Sequence, residues 1–164
     1  MHTLTSNEPI LVGIDGSPSS IDALTYAKRL AEALDAPIEV MITWIYPGLM
    51  DYAGVAGWSP EEDARQIIQD AVTVVFGDEV PDGLTISVTN GPAAKRLIAE
   101  SARASMLVLG SRGHGGFAGL LLGSVSSACA EYAHCPVLIV HPHPVADERR
   151  EKADQHGNAV PAGM

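Results

Sequence analysis

Five short apolar runs, each divided from the next by a connection long enough to hold a helix, limit this chain to one kind of architecture. They fall at residues 10–14, 38–45, 84–89, 105–109 and 136–141. Ile10, Leu11, Val12 and Ile14 leave almost no polar position, the pattern of a strand buried on both faces of a parallel sheet. Residues 84–89 alternate instead, with Leu84, Ile86 and Val88 apolar, which suits a strand at an edge. Parallel neighbours cannot be joined by a hairpin and need a crossover, usually helical. The alternation therefore predicts an α/β layer fold with a mostly parallel sheet.

The crossovers carry their own signals. Ser17 sits as an N-cap with Pro18 at the first helical position. Ile21, Leu24, Ala27, Leu30, Ala31 and Leu34 then keep helical spacing until Asp35-Ala36-Pro37 ends it. Ser59, with Glu62 three residues later, reads as a capping box ahead of Ala64, Ile67, Ile68, Ala71, Val72 and Val75. The bunched Glu61, Glu62 and Asp63 suit the positive end of that helix and read as a solvated first turn rather than a metal site. Asn90-Gly91-Pro92 leads into a third helix carrying Ala94, Leu97, Ile98 and Ala102. A fourth opens near Ser124, with Val125, Ala128, Cys129 and Tyr132 expected on its buried side. Residues 47–58 show no period and are expected to be the most mobile part of the domain.

The 164 residues, 46% of them hydrophobic, suffice for one domain with a sizeable core. That domain is expected over 9–141, between a flexible start (1–8) and a flexible charged tail (142–164) too poor in apolar residues to fold alone. The net charge of −10 weighs against nucleic acid as a partner, since backbone phosphates are held by clustered Lys and Arg. The first nine residues hold neither a basic region nor an apolar run, and no apolar stretch approaches the ~20 residues of a membrane span. A cytoplasmic location is the default expectation. Cys129 and Cys135 form no Cys-x-x-Cys pair and read as small hydrophobes.

The stretch richest in chemistry runs over 107–132. Leu107, Val108 and Leu109 deliver the chain to a loop with Gly110, Gly113, Gly115, Gly116 and Gly119, and Gly123-Ser124 then opens the fourth helix. Glycines let a backbone approach a ligand closely, and a helix start adds free N–H donors and a positive dipole end. Such an arrangement can cradle phosphates, with Ser124 and Ser126 as further hydroxyl donors. The spacing is G-x2-G-x9-G-S at Gly110, Gly113, Gly123 and Ser124.

This pattern resembles the nucleotide-binding motif of the universal stress protein family, in its ATP-binding branch. The string Asp15-Gly16-Ser17-x-x-Ser20-x-x-Ala23-Leu24 is similar to the family's N-terminal signature, and the resemblance spans about residues 9–141. It implies a doubly wound parallel sheet of order 3-2-1-4-5 with helices on both faces, like adenine nucleotide alpha hydrolase folds. Ligands of such sheets bind at the carboxyl ends, where the strand order reverses. The resemblance further implies ATP, with Mg²⁺ or Mn²⁺, held by Gly13, Asp15, Thr43, Leu109, Gly110, Arg112, Gly113, Gly123, Ser124, Val125 and Ser126. Asp15 would accept hydrogen bonds from ribose hydroxyls. Thr43, where relatives often carry Val or Ala, would line the adenine slot; a slip of one position would bring Trp44 or Ile45 there instead. The Gly91-Pro92 corner would lie near the cleft. Strand five would be an edge, and Val137, Leu138, Ile139 and Val140 lack the Lys, Pro or bulge that protects one. Related proteins pair through that strand, so a homodimer is expected.

The loop lacks the lysine of a G-x-x-x-x-G-K-[ST] motif, leaving phosphate charge to backbone donors, serines and a divalent cation. There is no G-x-S-x-G elbow and no H-x-x-x-H or Cys/His set for zinc. Arg112 can screen γ-phosphate charge; His114 can do the same or stay in solvent. With no base identified for activating water, slow hydrolysis or none is expected. The leading reading is an ATP-binding regulatory module. A slow ATP hydrolase, a cAMP binder and an interaction protein without nucleotide are the alternatives, and the intact glycines weigh against the last.

Overall fold

The computed structural model describes residues 8–46, 57–114 and 121–142. The expectations for the chain start (1–7), most of the long connection (47–56) and the tail (143–164) lie outside the described residues, as does the middle of the glycine loop, 115–120. The elements are β1 (Ile10–Gly13), α1 (Pro18–Leu34), β2 (Ile38–Trp44), α2 (Pro60–Phe76), β3 (Leu84–Asn90), α3 (Ala93–Glu100) with a 3₁₀ turn at Ser101–Arg103, β4 (Met106–Gly110), α4 (Ser124–Tyr132) and β5 (Val137–Val140).

All five strands are parallel, in the order β3-β2-β1-β4-β5. The register aligns Val12 with Val40 on one side and Val108 on the other, so like residues stack across the centre of the sheet. Side chains alternate between faces. Ile10 and Val12, with Ile38, Val40, Ile42 and Val108, pack against Ala23, Leu24 and Ala27 of α1 and Ile68, Val72 and Phe76 of α2. Leu11, Met41, Leu107 and Leu109 face the other way, onto Leu97 and Cys129. Burial pushes the Cys129 thiol up to about 11, helped by nearby Cys135, and raises the Cys135 thiol as well.

The helix starts follow the sequence. The Ser17 side chain accepts from Ser20 N–H and Pro18 opens α1, while Asp35 closes it in a left-handed conformation at φ 50. Ser59 Oγ accepts from Glu62 N–H at 3.4 Å. The acids that follow are engaged locally: Glu61 pairs with Arg65 at 2.5 Å, and Asp63 accepts from Trp58 Nε1 at 2.5 Å.

Two features depart from the expected pattern. Tyr132 is 60% exposed, not buried; α4 turns Ser126 and Cys129 inward, with Val125 and Ala128 half-buried. The cause is a polar contact that apolar spacing ignores, since Ser126 Oγ donates to the Gly110 carbonyl at 2.7 Å and rotates the helix toward β4. The second is Glu39, only 4% exposed near the start of β2. Its carboxylate is bracketed by Arg103, at 2.8 and 2.9 Å, and by Ser87 Oγ at 2.6 Å. Among the described residues, no helix is long and apolar enough to cross a membrane.

A buried carboxylate stripped of its cation is expensive. Arg103→Ala, which leaves Glu39 with Ser87 alone, is expected to cost about 2 kcal/mol, below the value for a fully enclosed pair because the Arg103 side chain is 55% exposed. Urea unfolding followed by circular dichroism checks this, and a second change, Glu39→Gln, should restore much of the loss.

Candidate functional site

Strands β1 and β4 lie side by side in the sheet, yet β1 feeds α1 on one face and β4 feeds α4 on the other. Their connections part at the carboxyl ends and leave a crevice of about 450 Å³. Gly13, Asp15, Thr43, Leu109, Gly110, Arg112, Gly113, Gly123, Ser124, Val125 and Ser126 all line it. Trp44 and Ile45 do not. The sequence reading did not include Ile14, Ser20, Met41, Ala93, Leu97 and Leu122, which also line it. Leu97 reads in the sequence as one of the apolar residues of the third helix and Met41 only as part of the second apolar run, and nothing in the spacing marks them as wall rather than core.

The lining of the crevice has two chemically distinct parts. Met41, Leu97, Ala93 and Leu109 make one of them apolar, and Thr43 contributes the hydroxyl there. The other is built from backbone donors. Ser127 N–H makes the first turn's bond of α4, to the Gly123 carbonyl at 2.9 Å. The helix has no side-chain cap, so the N–H groups of Ser124, Val125 and Ser126 stand at the cavity wall with the positive end of the helix dipole behind them. Arg112 lies exposed beside them and forms no ion pair among the described residues.

The glycines of the motif differ in why a side chain is excluded. A Cβ at Gly110 would sit 2.7 Å from the Ser19 backbone, so this glycine lets α1 pass over the end of β4. At Gly113 a Cβ would collide with Asp15 Oδ2. At Gly13 it would meet Leu109 Cδ2 at 2.5 Å and Leu97 Cδ1 at 3.1 Å. Gly123 is unlike these. Its φ is −70, which any residue adopts, and a Cβ would find its nearest described atom at 3.6 Å. Internal packing among the described residues therefore excludes a side chain at Gly110 and Gly113, whereas a Cβ at Gly123 would fit in ordinary contact with the backbone of residues 111–113.

Asp15 lies at the carboxyl end of β1. Its Oδ1 accepts from Ser17 N–H at 2.9 Å and from Ser17 Oγ at 2.5 Å, and its Oδ2 accepts from His114 N–H at 3.1 Å. Burial alone would raise its carboxyl. The hydrogen bonds from Ser17, His114 and Ser20 outweigh that and hold it below the ordinary range, so it is ionised at neutral pH. Gly16 makes the turn possible at φ +81, a region that L side chains avoid. Ser126 Oγ, engaged with the Gly110 carbonyl, keeps the first turn of α4 against the end of β4. Among the described residues, no group of three or more His, Cys, Asp and Glu converges as a metal site.

The fold is one that known proteins share. The profile of the universal stress protein family (Usp) matches residues 6–141. A universal stress protein of Mycolicibacterium smegmatis is 35% identical over 138 residues, covering 84% of this chain and 47% of the relative. One from Mycobacterium tuberculosis is 34% identical over 160 residues, covering 88% of this chain and 53% of the relative. The chain thus spans about half the length of the curated relatives it matches. Among solved structures, universal stress protein UspA from Lactobacillus plantarum superposes with a TM-score of 0.65 at 19% identity, over 82% of this chain and 97% of that one. A universal stress protein solved in complex with cAMP gives 0.64 at 24% identity, over 85% and 100%. The two structures establish the likeness of fold, and the profile match over most of the length carries the assignment: this chain belongs to the universal stress protein family.

Proposed function

We propose that the chain is an ATP-binding regulatory module. The phosphate chain lies against the first turn of α4 and Arg112, with Mg²⁺ or Mn²⁺ sharing its charge, and the adenine enters the apolar part beside Thr43, Met41 and Leu97. The observation that carries this is the start of α4: Gly123, Ser124, Val125 and Ser126 line the crevice, and no side chain caps the helix, so its first amides are free to meet an anion. The chain's net charge of −10 repels anions at long range, so binding rests on these local donors and the cation. Four or five charge-assisted hydrogen bonds, after ordering costs, support affinity of about 1 μM. Ionised Asp15 is the acid lining the cleft, and a carboxyl held below its usual range is a weak general base; turnover should be slow or absent.

The direct experiment is to denature the purified protein, identify any released nucleotide by mass, and titrate ATP, ADP and cAMP with and without Mg²⁺. Tightest binding by ATP, strengthened by Mg²⁺, is the expected result. No association at saturating adenine nucleotide overturns the reading. A preference for cAMP, the ligand of one structural relative, replaces it with a cyclic-nucleotide sensor.

The contrast between glycines makes a sharper test. Gly123→Val is expected to keep the melting temperature within a few degrees and to weaken ATP about a hundredfold by pressing the backbone of residues 111–113 away from the first turn of α4. Gly110→Ala is expected to lose about 2 kcal/mol of stability through the clash with Ser19.

We further propose a homodimer through β5. Leu107 N–H donates to the Pro136 carbonyl and Ser111 N–H to the Val140 carbonyl, so strand periodicity directs the backbone groups of Val137 and Ile139 outward at the free edge. A second copy related by a two-fold axis can pair with them. Ile139→Pro removes one outward N–H without breaking the ladder to β4. Light scattering is expected to give a dimer for the wild type and a monomer for this variant.

A further inference from the structure

We propose that Asp15 is a positioning residue whose carboxylate fastens residues 112–114 to the start of α1, and so keeps the phosphate side of the cleft in shape. This role is separate from any contact with a sugar, and it rests on the nucleotide-binding reading above.

The segment 112–114 is exposed, and it must present Arg112 to the first turn of α4. Among the described residues, every hydrogen bond it makes goes to Asp15 or Ser17. His114 N–H donates to Asp15 Oδ2 at 3.1 Å, and the Arg112 carbonyl lies 3.4 Å from Ser17 Oγ, a weaker contact because the one hydroxyl proton is directed mainly at Asp15. Ser17 is in turn bound to Asp15 Oδ1 by both its N–H and its hydroxyl. One carboxylate thereby joins two stretches that lie 99 residues apart. The approach is as close as a backbone allows, because any side chain at Gly113 would collide with Oδ2. The neighbouring residue is held differently: Ser111 N–H donates to the Val140 carbonyl and its own carbonyl accepts from Gly123 N–H, each at 2.8 Å. The loop is therefore anchored to the sheet up to Ser111, and from Arg112 to His114 it is anchored to Asp15 and its cap.

The sign of the effect separates this role from simpler ones. A carboxylate in an anion site repels the anion, so replacing it by a neutral amide should tighten binding on Coulombic grounds. A carboxylate that merely meets ribose should be indifferent to a ligand without a sugar. The fastening role makes the neutral variant bind phosphate more weakly, because an amide offers one acceptor oxygen where two are used.

Inorganic tripolyphosphate, titrated with Mg²⁺ into the full chain by calorimetry, distinguishes these cases. Asp15→Asn is expected to bind it about tenfold more weakly, and the His114 amide of the ligand-free variant to exchange with solvent about tenfold faster, while amides of β1 and β4 keep their wild-type rates. Equal or tighter tripolyphosphate binding by Asp15→Asn overturns the proposal. Exchange at His114 in the folded wild type decides independently if the variant does not fold: slow exchange supports the fastening, and exchange at the rate of an unstructured peptide overturns it. Should the wild type bind no tripolyphosphate, the nucleotide reading loses its phosphate end, and slow His114 exchange released by Asp15→Asn still supports the fastening.

Discussion

Everything in this molecule follows from two parallel strands that touch while their continuations diverge. β1 and β4 share a ladder through Val12 and Val108, and the helices that follow them pack on opposite faces. At the carboxyl ends the backbone has nowhere to go but apart, and the gap so made is wide and lined by main chain. The close passage of Ser19 over Gly110 sets the width on one side, and the tie from Ser126 to Gly110 sets it on the other. A helix start and a strand end are thus clamped to the same residue, which gives the donors of α4 a rigid base.

The electrostatics work against the global charge. A strongly acidic chain presents, at one spot, three amides without side-chain caps, a helix dipole and an arginine without an acidic partner among the described residues. Salt screens the long-range repulsion within about 10 Å, whereas the local donors act at contact distance. Such a division favours small anions that reach the donors over extended polyanions that feel the whole surface. It also explains why Asp15 can be tolerated in the same crevice: its charge is spent on Ser17 and His114 rather than left facing the cavity.

Local chemistry made most of the framework readable before any coordinates. Ser17 with Pro18, Ser59 with Glu62, and the runs around Val12, Val40 and Val108 state their structure through capping rules and apolar period. Strand order came only through family resemblance, since periodicity carries no information about neighbours. The cavity walls were partly legible, because a glycine motif names the loop but Met41 and Leu97 look like any core residue. Glu39 with Arg103 was not legible at all: an acid and a base separated by 64 positions announce their pairing only once β2 and the turn after α3 are side by side. Tyr132 was misplaced because apolar spacing counts carbon and overlooks the serine hydroxyl that steers α4. For the glycines, sequence marked all three of the motif alike, and only the packing around each separates those needed by the fold from the one that is not.

The Cys129 sulfur, sealed in the layer beneath α4, has a consequence for a member of a family named for stress. With the Cys129 thiol raised to about 11 by burial, its sulfur stays protonated at neutral pH and the nucleophilic anion is rare. Peroxides attack that anion far faster than its protonated parent, so Cys129 resists oxidants that would modify a more acidic cysteine. At this position the core keeps the same chemistry in reducing and oxidising surroundings alike.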